Sequence, residues 1–145
     1  MNLIFRKVTP DDIPQFNLLM DDLSEHAEDT ERLKTVVAKN LTDENIYLMA
    51  AEAAETHELV GSVLGVLFDD YCGNSRKLML IENVVTSSKH RREGIGRKMF
   101  EHMEEWGRNH DVNYIILCSS LDRLEAHKFY ENIGYHEVKG FKKYL

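Results

Sequence analysis

Ile81-Glu82-Asn83-Val84-Val85-Thr86-Ser87-Ser88-Lys89-His90-Arg91-Arg92-Glu93-Gly94-Ile95-Gly96-Arg97 is the stretch on which the rest of the chain turns. An apolar strand closes at Thr86, a polar turn gathers Lys89, His90, Arg91 and Arg92, and two glycines open an amphipathic helix. N–H groups at a helix start have no partner inside the helix, and the dipole there favours negative charge. Gly94 and Gly96 lack a Cβ, so a pyrophosphate can approach the main chain. Arg91, Arg92 and Arg97 add positive charge where phosphates would lie. A solvated turn with an ordinary helix cap explains the same residues without a ligand. Other nucleotide motifs fit badly: there is no Gly-Lys-Ser/Thr of a P-loop and no three-glycine fingerprint after a first strand.

Working outward, Ile95, Met99, Met103 and Trp106 form one stripe of a helix running from Gly94 to about His110. Tyr114-Ile115-Ile116-Leu117-Cys118 reads as a buried strand in a sheet covered on both faces, with Cys118 an ordinary core thiol. Asp122 caps the next helix with Glu125 as its capping-box partner. Ala126, Phe129, Tyr130 and Ile133 make its apolar face, and Gly134 suits a left-handed helix end. Residues 135–145 read as a last strand, with Gly140 marking a bulge.

Upstream, residues 2–8 make a short strand, and Thr9, Pro10, Asp11 and Asp12 form a helix start. Ile13, Phe16, Met20, Leu23 and Ala27 recur at helical spacing, and a second helix covers about 30–41. Strands follow at about 46–54, 58–69 and 77–86. The order is one strand, two helices, three strands, then helix, strand, helix, strand. That is an α/β chain with a mixed sheet and helices packed on it. With no repeat, linker or low-complexity stretch, residues 1–145 read as a single domain.

The bulk composition fits that reading. The 145 residues are 43% hydrophobic and 30% charged, the balance of a globular protein rather than a disordered one. No apolar run approaches the roughly 20 residues that span a bilayer. The first residues lack a signal-peptide pattern, and Cys72 and Cys118 have no metal-type spacing, so a cytoplasmic location is expected. A net charge of −7 argues against nucleic acid as a partner. The charge is also divided: Asp21, Asp22, Glu25, Glu28, Asp29 and Glu31 crowd one region, while the basic residues surround the glycine pair. Two ligands of opposite charge would suit such a chain.

At this point the chain resembles a known family. Arg91-Arg92-Glu93-Gly94-Ile95-Gly96 matches the Arg/Gln-x-x-Gly-x-Gly/Ala signature of the GNAT superfamily of N-acetyltransferases. Ala126-His127-Lys128-Phe129-Tyr130-Glu131-Asn132-Ile133-Gly134-Tyr135 is similar to its Ala-x-x-Phe-Tyr-x-x-x-Gly-Phe/Tyr segment. The resemblance implies a mixed, mostly antiparallel central sheet of about six to seven strands with helices on both faces. It also implies acetyl-CoA as co-substrate with no metal. The strand ending at Val84, Val85 and Thr86 would pair with the pantetheine arm, and Arg91, Arg92, Glu93, Gly94, Ile95, Gly96 and Arg97 would hold the pyrophosphate. Tyr130 would sit near the thioester sulfur. Arg123 stands where many relatives carry an Asn that contacts pantetheine, and is left out of that set. Many relatives are homodimers, and a small-molecule amine is the acceptor implied here.

The chemistry sets further demands. A lysine-like amine has a pKa of about 10.4, so under one part in a thousand is neutral at pH 7. A positioned base is therefore needed, and Glu82 is the candidate. It is a lone carboxylate on an otherwise apolar strand, where burial would raise its pKa. A place on the solvent face or in an ion pair is the alternative. Asn83 is a lesser candidate for orienting water or substrate. Tyr130 is the candidate acid, against the alternative of core packing. No set of histidines has zinc-ligand spacing. The acidic segment is expected to wall the acceptor site and favour polyamines, amino sugars and lysine-like amines. A catalytically silent acyl-CoA-binding sensor or scaffold is the competing function.

Overall fold

The computed structural model describes residues 1–23 and 27–145. Five strands follow one another across a single sheet in chain order: β1 (Leu3–Lys7), β2 (Ile46–Ala53), β3 (Leu59–Asp69), β4 (Lys77–Thr86) and β5 (Val112–Leu117). The first four pair antiparallel, and β5 pairs parallel with β4. The helices are α1 (Ile13–Asp21), α2 (Thr30–Asn40), α3 (Ile95–Asn109) and α4 (Leu124–Asn132).

Period-two alternation sends neighbouring strand residues to opposite faces, and each face has its own core. On one face Met49, Val63, Met79 and Ile81 meet Ile95, Met99, Phe100 and Met103 of α3, with residues of α4 at its margin. A Cβ on Gly61 would fall 2.6 Å from the Met99 sulfur, so glycine there lets α3 press against β3. On the other face Val8, Ala50, Leu59 and Val85 meet Ile13, Phe16, Leu19, Met20 and Val37 from α1, α2 and the turn before them. Helices therefore cover both faces, as expected.

The chain departs from its sequence reading in five places. The sheet has five strands rather than six to seven, because 135–145 forms none. Val138, Phe141 and Tyr144 in that segment are exposed and recur every third residue. A strand would send them alternately to opposite faces, so no strand could bury them together. Gly140 therefore marks no bulge. β5, read as covered on both faces, is an edge strand: Tyr114 is 48% exposed, while Ile115 and Leu117 on the other face pack on the core. Cys118 lies beyond its end and is exposed rather than a core thiol.

The N-cap of α4 is Arg123 rather than Asp122, and no side chain caps it. The helical run read through Ala27 stops at Asp21, Ala27 lies outside any helix, and the intervening 24–26 fall outside the described residues.

Thr9 and Asp12 do form a capping box at the expected start, around a 3-10 turn, Pro10–Asp12. Asp12 has a second role there. Arg6 donates to both of its oxygens, at 2.7 and 2.9 Å, and to Glu52 Oε2 at 2.5 Å, while His57 Nδ1 stands 2.5 Å from Glu52 Oε1. This network ties β1, β2 and the turn into α1 together.

Candidate active site

Pairing between β4 and β5 runs from Lys77–Val112 to Ile81–Leu117 and stops there. Among the described residues, 82–86 then have a ladder partner only on the β3 side. Their other edge is a row of main-chain donors and acceptors open to an extended, amide-bearing ligand. The β3 side is irregular at the same level. Pairing passes from Ser62–Val85 to Leu64–Glu82, so Val63 stands opposite both Asn83 and Val84. Asn83 takes φ +52° in this bulge, a conformation Asn tolerates better than most residues.

Beyond Thr86 the turn ends in Gly94, the N-cap of α3, at φ +77°. That left-handed value explains glycine here. No side chain caps α3, so its first N–H groups point to solvent. Lys89 and His90 lie near Glu58, at 3.7 and 3.8 Å, and His90 also meets Glu93 at 3.4 Å. Arg91, Arg92 and Arg97 make no ion pair among the described residues, which leaves three cations at an uncapped helix start. A Cβ on Gly96 would lie 3.2 Å from Phe129 and 3.8 Å from Thr86 Oγ1. The end of β4, the start of α3 and the face of α4 therefore converge at Gly96. These groups fit a nucleotide pyrophosphate joined to an extended arm.

Tyr130 projects from α4 into an aromatic cluster, with ring centroids 5.7 Å from Phe100, 5.5 Å from Phe129 and 6.4 Å from Tyr135. Core packing is thus part of its role. Its hydroxyl nonetheless has no hydrogen-bond partner among the described residues. Burial pushes the phenol pKa up; Arg123 opposes this and Glu82 adds to it.

Glu82 is exposed, so the burial anticipated for it is absent, and it forms no ion pair among the described residues. Its ladder partner Leu64 fixes its direction, because directly paired residues share a face. Leu64 lines a cavity of about 340 Å³ beneath α1 and α2, bounded by Phe16, Met20, Val37, Leu48 and Asn83 among others. Asn83, which follows Glu82 in the stretch of β4 with an open edge, belongs to this lining.

Three acids of the segment expected to wall the acceptor site are engaged elsewhere. Asp22 Oδ2 accepts from the Ser88 N–H at 2.8 Å, Asp29 caps α2 through the Arg32 N–H at 2.9 Å, and Glu31 pairs with Lys34 at 3.4 Å. Glu25 lies outside the described residues, and among the described residues the cavity lining contains no carboxylate. The tie between Asp22 and Ser88 is a site feature the sequence did not signal, since nothing in a run of acids says which one turns inward. His127 Nε2 lies 2.9 Å from the Ser120 carbonyl oxygen, which tethers α4 to the turn that precedes it. Among the described residues no group of His, Cys, Asp and Glu is placed to hold a metal, and no helix is long and apolar enough to cross a membrane.

Comparison with known proteins identifies this mixed sheet parting beside a glycine-opened helix. Residues 13–135 match the family model described as the acetyltransferase (GNAT) family. The chain belongs to that family. It is 27% identical over 111 residues to "Probable N-acetyltransferase HLS1" of Arabidopsis thaliana, a match covering 65% of this chain and 28% of that protein. A Bacillus subtilis (strain 168) N-acetyltransferase, YhdJ, is 32% identical over 50 residues, covering 34% of this chain and 35% of its own length. The matches thus span about a third or less of the curated relatives. Glucosamine-6-phosphate N-acetyltransferase from Arabidopsis thaliana has the same fold, with TM-score 0.85 at 19% identity over 100% of this chain and 99% of the other. AAC(6')-Iy, solved with a bisubstrate analog, CoA-S-monomethyl-acetylneamine, gives 0.81 at 14% identity over 100% and 98%.

Proposed function

We propose that residues 1–145 form one acetyl-CoA-dependent N-acetyltransferase domain that transfers acetyl directly to the primary amine of a small, cationic acceptor. The observation that supports this reading is the β4 edge left without a β5 partner beyond Ile81, where Glu82 begins the open stretch, next to the uncapped start of α3. Bound acetyl-CoA would supply an activated acyl carbon and a thiolate leaving group. Val84, Val85 and Thr86 would hold its amide-bearing arm, and the turn from Arg91 through Arg97 its phosphates.

Glu82 takes the proton that the amine sheds on forming its bond to the acyl carbon, directly or through one water. Tyr130 gives its phenolic proton to the sulfur as the carbon–sulfur bond breaks. Its raised pKa keeps that proton in place at neutral pH. Asn83, beside Glu82 at the bulge, orients the amine. Glu28, next in sequence to Ala27 of the cavity lining, draws cations toward it. The free edge of β5 and the exposed Phe141 and Tyr144 support pairing of two copies into a homodimer.

The test combines binding and turnover. Acetyl-CoA should raise the melting temperature, since a ligand held only by the folded state stabilises it. Amine-dependent release of CoA thiol should follow. Stabilisation without release for any amine would make the chain a silent acyl-CoA-binding module; neither effect would remove acetyl-CoA from the account.

A further inference from the structure

The cavity beneath α1 and α2 narrows the acceptor, an inference that rests on the transferase reading above. Leu48, Leu64 and Val66 of the sheet form its floor, and Phe16, Val36 and Val37 belong to its helical side. Three polar residues complete the lining: Lys7, Asn40 and Asn83. Lys7 is committed, its Nζ donating to the Leu41 and Asp43 carbonyls at 3.0 and 2.9 Å. The Asn40 and Asn83 side chains have no hydrogen-bond partner among the described residues. At about 340 Å³ the space lies in the size range of small-ligand sites.

We infer that the acceptor is a primary amine with a compact apolar body, arylalkyl or branched alkyl, whose only positive charge is the reacting nitrogen. The body lies on Leu48, Leu64 and Val66, and the nitrogen sits at Asn83 beside Glu82. Two physical reasons exclude polycations and polyhydroxylated amines. A second ammonium in this space would leave water without meeting a carboxylate of the described lining, and the one charge that lining carries, on Lys7, is of the same sign. A sugar would lose its hydroxyls' water partners against a wall offering two amides. Asp21, Asp22, Glu28, Asp29 and Glu31 lie outside the described lining, so they steer the cation without choosing its body.

The experiment is calorimetric titration of 2-phenylethylamine, spermidine and glucosamine into the CoA-saturated protein and into the free protein. The aryl amine should bind at least tenfold more tightly than either competitor. Val66→Phe, which fills the floor, should weaken it at least tenfold while leaving the affinity for CoA unchanged. Val36 is 44% exposed, so Val36→Asp should fold even if Val66→Phe does not, and should narrow the gap between aryl amine and spermidine at least threefold. Spermidine or glucosamine binding as tightly as the aryl amine, or an aryl affinity indifferent to both variants, would overturn the inference and leave acetyl transfer standing. Failure of CoA itself to bind would instead count against the transferase reading, and the titrations into free protein would still decide what the cavity prefers.

Discussion

The Asp22 carboxylate accepts a hydrogen bond from the Ser88 main-chain N–H at 2.8 Å, which fastens the end of α1 to the turn carrying the phosphate-site arginines. The Ser88 bond is the main reason the Asp22 pKa lies below its usual value, with the charges of Arg91 and Lys89 assisting. The tie is therefore intact at neutral pH and is lost as pH falls through that lowered value. Asp22→Ala should weaken acetyl-CoA binding about three- to tenfold, the scale of one charge-assisted bond discounted for exposure. The acceptor KM should move less. Titration of acetyl-CoA into the variant, beside acceptor kinetics, separates the two; an acceptor KM that rises alone would return Asp22 to an acidic acceptor wall.

Tyr130→Phe removes one proton and keeps the ring against Phe100 and Phe129. Acetyl-CoA affinity should hold while kcat falls about 100-fold, toward the lower end for a proton donor because a thiolate leaves readily. Unchanged turnover would make Tyr130 a packing residue.

Glu82→Gln should lower kcat/KM at neutral pH and recover part of it at alkaline pH, where the amine deprotonates unaided. The pH profile of kcat/KM is the measurement. A profile that overlays the parent's would leave solvent to take the proton.

Arg6 holds two carboxylates that are themselves nearly inaccessible, Asp12 and Glu52 at 8% and 6% exposure. The Arg6 hydrogen bond chiefly lowers the Asp12 pKa; His57 and then Arg6 lower that of Glu52. Groups with depressed folded values stabilise the fold fully above their unfolded values, here 3.8 and 4.5. That contribution disappears as pH falls from there through the folded values. Arg6→Ala should cost about 2–3 kcal/mol at pH 7, below a fully buried pair because Arg6 is a third exposed. Denaturant unfolding at pH 7 and in acid checks both the size and the narrowing of the difference.

Features set by neighbours in sequence were the legible ones. The turn from Arg91 to Gly96 carries its own geometry, Thr9 and Asp12 cap within four residues, and Tyr130 sits in a local motif. What depended on distant partners was not legible. Arg6 meets Glu52 across 46 positions and Asp22 meets Ser88 across 66, and composition assigns neither. The apolar run of β5 gave no sign that one face would stay open, because an edge strand with one packed face carries the same residues. The C-terminal segment has strand-like composition, but its apolar residues are spaced by three. The cavity is a void between elements, and no single stretch of sequence describes it.

Acetyl transfer itself is tested most directly by product stoichiometry. In a single turnover with 2-phenylethylamine, acetylated amine measured by mass spectrometry should equal the CoA thiol released, and Tyr130→Phe should slow both together. Thiol released without acetylated amine would reveal hydrolysis instead, and would contradict a site in which Glu82 and Asn83 deliver an amine to the acyl carbon.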